Sequence, residues 1–171
     1  AWQESLDISM DIKALATIPV TVVSAGCKAI LDIGATLEAL ESAAVPVWGW
    51  QTDRFPTFYS ATSNFKIDSI ADPSAYARAK RLYHEMSATP GGILVANPIP
   101  IDSQIKAELI EPVIIEAIGL ARAQSISGKA LTPFLLDHLA RATKGESVKA
   151  NLALLENNVR LAARLAKAEL E

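Results

Sequence analysis

Three short apolar runs constrain the fold of this 171-residue chain most strongly. Residues 20–24, 47–50 and 93–96 each have the length of a buried strand, and segments with helical spacing of apolar residues separate them. Strands that alternate with helices in this way are typical of α/β proteins. We therefore predict one α/β unit over residues 1–171, with three layers (α/β/α) and a mixed or mostly parallel sheet.

The remaining segments are predicted from periodicity and capping signals. Asp72 and Pro73 begin a helix, and Gly145 is expected to take the position just after the end of another. Residues 60–71 are expected to be a surface excursion, and Trp48 and Trp50 to pack on opposite faces of the sheet. Helices are predicted at about 12–16, 31–44, 73–86, 103–124, 134–144 and 147–170.

Composition excludes several classes of function. The net charge is −3 and no basic cluster occurs, so nucleic-acid binding is not expected. The apolar runs are too short for a membrane span. A single cysteine, Cys27, excludes an intramolecular disulfide and suits a reducing compartment, so we expect a cytoplasmic location, with an organelle of a eukaryote left open. Because the chain does not begin with methionine, we expect a processed piece or a fragment.

Lys28 lies where the first strand passes into a helix. The run before it ends in Ser24, Ala25 and Gly26, and a helical pattern follows. Ligands of α/β sheets usually bind at the carboxyl ends of the strands. The positive end of the helix dipole favours a neutral, nucleophilic amine, which can form an imine with a sugar carbonyl. The alternative is a lysine whose stem lies over the sheet edge.

Two other groups of polar residues have both a structural and a functional interpretation. Asp7 and Asp11, with Ser9 between them, offer oxygen ligands for Mg²⁺ or Mn²⁺, but they also fit an acidic helix start. In the last helix, Asn151 and Asn158 fall on the apolar face, which is expected to be lined by Leu154, Leu155, Leu161, Ala162 and Leu165. A buried asparagine must be hydrogen-bonded, either by a neighbouring loop or by a ligand.

Six stretches, in this order, carry a family resemblance: 7–11 (DISMD), 24–33 (SAGCKAILDI), 45–56 (VPVWGWQTDRFP), 91–100 (GGILVANPIP), 128–134 (GKALTPF) and 151–158 (NLALLENN). Together they resemble the pseudouridine-5′-phosphate glycosidases, also called the indigoidine synthase A-like family. The resemblance implies reversible cleavage of the C–C glycosidic bond of pseudouridine 5′-phosphate, which gives uracil and ribose 5-phosphate. It also implies a lysine that attacks the sugar C1′, opens the ring and forms an imine through which the bond to uracil breaks.

By motif position, the resemblance assigns the site residues of this chain. The nucleophile is Lys28 and the Mn²⁺ ligand is Asp7. Substrate contacts are placed on Ser9, Met10, Asp11 and Asn151. The resemblance further implies a homotrimer.

The resemblance covers only the carboxyl-terminal portion of a larger domain. The family's general acid (a glutamate), its phosphate-binding lysine and a glycine-rich stretch lie before the segment that matches residues 7–11. We therefore expect activity to require an N-terminal half, supplied as a separate chain or by a precursor. Two alternatives stay open: another imine-forming sugar-phosphate lyase or aldolase, and a truncated scaffold without catalysis.

Overall fold

The computed structural model describes residues 10–26 and 32–170. Its regular elements alternate between helices and strands along most of the chain. In order they are α1 (Met10–Thr17), β1 (Thr21–Ser24), α2 (Ile33–Ser42), β2 (Val47–Trp50), β3 (Asp68–Ile70), α3 (Pro73–Met86), β4 (Ile93–Ala96), α4 (Ala107–Ala123), α5 (Leu131–Ala142) and α6 (Glu146–Ala168), with short 3₁₀ turns at Ile101–Ser103 and Gly128–Ala130.

The four strands form one sheet in the order β1-β4-β2-β3, and every neighbouring pair is parallel. Thr21 lies opposite Ile93, and Trp48 lies opposite Val95. The predicted α/β class is confirmed, and the sheet is parallel throughout the described residues. Parallel pairing aligns the carboxyl ends of all four strands along one edge of the sheet.

Helices cover both faces of the sheet, as the three-layer prediction requires. On β4, Leu94 and Ala96 point to one face, where they pack with Leu15 of α1 and Leu40 of α2. Ile93 and Val95 point to the other face. There they pack with α3 and α6 through Tyr76, Leu161 and Leu165. Burial on both faces explains why β4 is uninterruptedly apolar.

A third apolar cluster lies beyond the carboxyl ends of the strands. It joins α4, α5 and the first turns of α6 to Ala25 and Ile99, which follow β1 and β4. Its helical members include Ile110, Ile114, Ala117, Leu135, Leu139, Ala150 and Leu154. This cluster holds the start of α6 next to the sheet edge where β1 and β4 end.

Two predictions about the sheet are wrong. The segment 60–71 contains β3, whose backbone pairs with β2 from Trp48 to Trp50. Trp48 and Trp50 both belong to the cluster around Tyr76 and so lie on the same face. Side chains of a strand alternate with a period of two, so positions i and i+2 must share a face.

The helix ends follow capping chemistry. The Asp72 carboxylate accepts a hydrogen bond from the Ala75 backbone N–H at 2.8 Å, as the cap prediction requires. At the end of α5, the position just after the C-cap falls on Lys144 (φ 51), one residue before the predicted Gly145, and Gly145 is left-handed as well (φ 89). The Gly145 N–H donates to the Ala140 carbonyl at 2.8 Å, which closes the turn.

Side chains near the amino end of β1 anchor the end of α6. The Tyr76 hydroxyl lies 2.6 Å from the Thr21 hydroxyl and donates to Glu169 at 2.7 Å. Lys80 donates to the other Glu169 oxygen at 2.6 Å. Partial burial alone would raise the pKa of Glu169, but the hydrogen bonds from Lys80 and Tyr76, together with the charges of Lys80 and His84, lower it overall.

This anchor predicts a pH dependence of stability. Because the pKa of Glu169 is lower in the folded than in the unfolded chain, its contribution is present above the unfolded value and is lost as the pH falls through the folded one. Glu169→Gln should cost about 1 kcal/mol at pH 7, and the cost should shrink below about pH 4. Urea denaturation at pH 7 and below about pH 4 measures the free energy of unfolding of both proteins. Glu156→Gln, which removes an exposed pair with Arg160, should change stability by less than about 0.5 kcal/mol.

Candidate functional site at the carboxyl edge of the sheet

The backbone at the end of β1, from Ser24 to Gly26, is fixed by close backbone contacts. The Ser24 carbonyl accepts a hydrogen bond from the Asn97 N–H at 2.7 Å, which joins the ends of β1 and β4. Gly26 has a φ of +92 and forms a bridge with Thr57. A Cβ at Gly26 would lie 2.0 Å from the Pro56 carbonyl oxygen, so no other residue fits. The direction of the chain is therefore set two residues before Lys28.

Gly26→Ala should destabilise the fold by at least about 2 kcal/mol, because it adds both a clash and an unfavourable φ. A matched control is Gly119→Ala in α4, where an added Cβ meets nothing within 4 Å. That change should be neutral or stabilise by up to about 1 kcal/mol, since alanine is the better helix former. Urea denaturation of both variants is the measurement. Equal stability of the two variants would contradict the role given to Gly26.

The segment around Phe58, between β2 and β3, covers the end of β1. The Phe58 N–H donates to the Ala25 carbonyl at 3.0 Å, and the Tyr59 ring is buried in the cluster that contains Ala25. Burial raises the pKa of the Tyr59 hydroxyl, so the phenol is neutral at physiological pH. The wall around the end of β1 is therefore apolar and uncharged on this side.

Asparagine side chains connect the end of β4 to α6. The Asn97 amide donates to the Asn158 side-chain oxygen at 3.0 Å, and both residues are buried. The Asn157 amide donates to the Pro98 carbonyl at 3.0 Å. Asn158 thus has the structural role that was one of its two interpretations. Asn97 and Asn157 were not predicted as site residues from the sequence, although an Asn-Pro pair directly after a strand was a usable signal.

Asn151 lies on the same helix about two turns before Asn158, roughly 10 Å towards the helix start. Because α6 contacts β4 at Asn158 and β1 at Leu161 and Leu165, its start extends past the carboxyl edge of the sheet. Asn151 is half-buried, and its side chain forms no hydrogen bond within the described ranges. It is therefore available for a contact with a ligand at this edge.

The first turn of α1 points towards the same edge. The Leu15 carbonyl accepts a hydrogen bond from Gly92 just before β4, so α1 ends near the amino edge and begins towards the carboxyl edge. Met10, 72% exposed, and the exposed Asp11 stand in this first turn. Asp7, Ser9 and Lys28 lie outside the described residues. The structure thus brings Met10, Asp11, Asn151 and the exit towards Lys28 to one side of the sheet.

The described part of the chain has neither a metal-binding cluster of acidic, histidine or cysteine side chains nor a helix that could span a membrane. No group of three or more His, Cys, Asp or Glu side chains within residues 10–26 and 32–170 could hold a metal ion. In those same ranges, no helix has the length and apolar character needed to cross a membrane.

A separate pocket of about 330 Å³ lies beside α3 near the opposite, amino edge. It is open to solvent, and its charges are mixed. Lys80 and Glu169, which line it, are already paired with each other. This pocket does not contain any of the residues that the sequence predicted to act on a substrate.

Comparison with known proteins identifies the class. Residues 1–168 match the family model described as indigoidine synthase A like protein. The chain therefore belongs to the indigoidine synthase A-like family, as the resemblance of its motifs implied.

Individual relatives are named more specifically. The chain is 49% identical to the pseudouridine-5′-phosphate glycosidase of Methylobacterium nodulans over 97% of its own length and 49% of that protein. It is 45% identical to the protein of the same name from Geobacillus kaustophilus, over 96% of this chain and 55% of that protein. The chain thus spans about half the length of the curated relatives that it matches.

Two solved structures share the fold. A prealnumycin C-glycosynthase in complex with ribulose 5-phosphate superposes with a TM-score of 0.90 at 33% identity, over 98% of this chain and 55% of that one. An indigoidine synthase A-like protein from Thermotoga maritima superposes with a TM-score of 0.84 at 37% identity, over 94% of this chain and 53% of that one.

Proposed function

We propose that this chain is the catalytic portion of an enzyme that reversibly cleaves the C–C glycosidic bond of pseudouridine 5′-phosphate, giving uracil and ribose 5-phosphate. The supporting observation is the fixed backbone at Gly26, which directly follows the carboxyl end of β1. We propose that Lys28, two residues later in the sequence, acts at the same edge of the sheet as Asp11 and Asn151. The names of the relatives and the sugar phosphate bound to a structural neighbour support this substrate class.

In the proposed reaction, the neutral amine of Lys28 attacks C1′ of the ribosyl group. The C1′–O4′ bond breaks, O4′ takes a proton, and the sugar is held open on the lysine nitrogen. The nitrogen lone pair then forms a C=N bond as the C1′–C5 bond to uracil breaks, and C5 takes a proton from an acid. Water hydrolyses the imine, which releases ribose 5-phosphate and regenerates Lys28.

The other assigned residues bind rather than react. Asp7 would hold Mn²⁺, and an oxygen ligand of this kind suits that hard cation. The metal would supply positive charge for binding an anionic sugar phosphate. Ser9, Met10 and Asp11 would contact the substrate from the start of α1. Asn151 would contact it from α6.

The acid that protonates uracil is proposed to come from a polypeptide that corresponds to the N-terminal half of the relatives. By family resemblance, the glutamate of that half is the proton donor. The half would be present as a separate chain or as part of one precursor. We propose that the assembled protein is a homotrimer, as the resemblance implies.

The test is release of uracil from pseudouridine 5′-phosphate by this chain with the missing half supplied, read by chromatography with Mn²⁺ present. Formation of pseudouridine 5′-phosphate from uracil and ribose 5-phosphate should occur under the same conditions. If neither direction proceeds but Lys28 still forms an imine with another sugar phosphate, the alternative of a different lyase or aldolase replaces this proposal. If no imine forms at all, the scaffold alternative replaces it.

A further inference from the structure

The proposed reaction adds two protons to the substrate, and only one of them has an assigned donor. The proton for C5 of uracil is assigned to the glutamate of the N-terminal half. The proton for O4′ is needed earlier, when the amine of Lys28 displaces O4′ from C1′ and the ring opens. An alkoxide is a poor leaving group at neutral pH, so an acid placed close to Lys28 would speed this step by about a hundredfold or more.

Tyr59 lies beside the strand end that precedes Lys28. The N–H of its neighbour Phe58 donates to the Ala25 carbonyl at 3.0 Å. The Tyr59 carbonyl accepts a hydrogen bond from the Ile105 N–H, also at 3.0 Å. The Tyr59 ring, 4% exposed, is buried in the apolar cluster that contains Ala25. The ring therefore has a fixed position at the carboxyl end of β1.

Covalent geometry limits the distance between this ring and Lys28. Lys28 follows Ala25 by three residues, and three residues span at most about 11 Å even when fully extended. The lysine and the tyrosine therefore border the same small region at the end of β1. Asn151, which is available for a ligand contact, lies on the same side of the sheet.

The Tyr59 hydroxyl has no hydrogen-bond partner among residues 10–26 and 32–170. Within those ranges, Nε2 of His138 is the one side-chain nitrogen or oxygen that is fully buried and has no partner. The Tyr59 oxygen thus borders open space or a group outside the described residues. Buried hydroxyls are normally hydrogen-bonded by the surrounding protein, so one without a described partner indicates a ligand contact or a catalytic role.

The hydroxyl also has the protonation state that a donor to O4′ needs. Burial raises the pKa of Tyr59, so the phenol keeps its proton at neutral pH. A phenol is still a stronger acid than the aliphatic alcohol that forms at O4′, so transfer of its proton to O4′ is favourable.

We propose that the Tyr59 hydroxyl protonates O4′ when Lys28 opens the ribosyl ring, which makes Tyr59 a further catalytic residue. The inference rests on the proposed function. As the C1′–N bond forms and the C1′–O4′ bond breaks, the Tyr59 proton passes to O4′. The attack leaves a protonated nitrogen on Lys28, which returns a proton to the phenolate. The step ends with a neutral amine on C1′, a neutral phenol and a hydroxyl at O4′.

The test compares Tyr59→Phe with the wild type in two assays, each with the N-terminal half supplied. Release of uracil from pseudouridine 5′-phosphate requires ring opening at O4′. Trapping of the Lys28 imine with ribose 5-phosphate and cyanoborohydride does not, because the open-chain aldehyde reacts directly. Tyr59→Phe should release uracil at least about thirtyfold more slowly, and should form the trapped adduct within about threefold of the wild-type rate.

Tyr76→Phe is the matched control. It also removes one hydroxyl from a buried ring, but near the opposite edge of the sheet, where that hydroxyl contacts Thr21 and Glu169. This control should lower the Tm by about 3 °C and leave uracil release at 25 °C unchanged. Tyr59→Phe should change the Tm by less than about 2 °C, because its hydroxyl has no described partner to lose.

The two assays give three results that would overturn the inference. Uracil release by Tyr59→Phe within about threefold of the wild type would remove the role of the hydroxyl as acid. Equal losses of uracil release and imine trapping would show that the hydroxyl positions Lys28 instead. A wild-type protein that forms the imine but releases no uracil would remove the proposed function, and this inference with it. Uracil release by the wild type therefore distinguishes failure of this inference alone from failure of both.

Discussion

Replacing Lys28 by alanine is expected to lower the turnover of pseudouridine 5′-phosphate at least about a thousandfold in the assembled protein. The C–C bond to uracil has no heteroatom leaving group, so the proposed reaction depends on a nitrogen lone pair, which we assign to Lys28. Lys28→Arg should be as inactive, since a guanidinium remains protonated and cannot attack C1′. Steady-state uracil release with saturating substrate measures both effects.

The control for Lys28 is Lys66→Ala, a change at an exposed lysine outside the candidate site. It should leave turnover unchanged. An unaltered Tm in all three variants would show that the loss of turnover comes from the missing amine and not from unfolding. A Lys28→Ala variant that keeps turnover within about tenfold of the wild type would contradict the role of the lysine as nucleophile.

The second large effect concerns the N-terminal half that we propose as a requirement for activity. The chain alone should release uracil at least about a thousandfold more slowly than the chain supplied with that half, because without an acid the departing C5 carbon has no proton donor. Titrating the half against a fixed amount of the chain, with uracil release as the readout, measures the gain.

A heat-denatured sample of the half serves as the control and should give no gain. Full turnover by the chain alone would contradict the requirement. It would mean that the acid is supplied by a residue of this chain.

Local pattern was sufficient for most of the fold. Residues 20–24, 47–50 and 93–96 were predicted as strands because each is a short, largely apolar run between helical patterns, and each contains a strand. The start of α3 followed from the Asp72 carboxylate and Pro73 alone. These elements depend on contacts within a few residues, which the sequence carries directly.

The missed strand β3 depends on a distant partner. Asp68 and Ser69 have low intrinsic preference for strands, and the strand exists because its backbone pairs with β2 about twenty residues earlier. No periodicity in three residues could have shown this. The two tryptophans were assigned to opposite faces by an error in the strand period, and that mistake was avoidable.

The candidate site was predictable only in part. Asn158 was recognised as a buried amide, but its partner Asn97 is 61 residues away and only the fold identifies it. Leu155 and Ala162 were assigned to the buried face of α6, whereas Leu155 is 57% exposed and Ala162 is exposed as well. Helical spacing gives the angular position of each side chain, but the packing of the neighbouring elements decides which positions are covered.

The most direct test of the account is trapping of the imine. The chain, supplied with its missing half, is incubated with ribose 5-phosphate and borohydride, and the digested protein is mapped by mass spectrometry. The account predicts a reduced pentose-phosphate adduct on the peptide that contains Lys28, and none in Lys28→Ala. An adduct on a different lysine, or no adduct while uracil is still released, would contradict it.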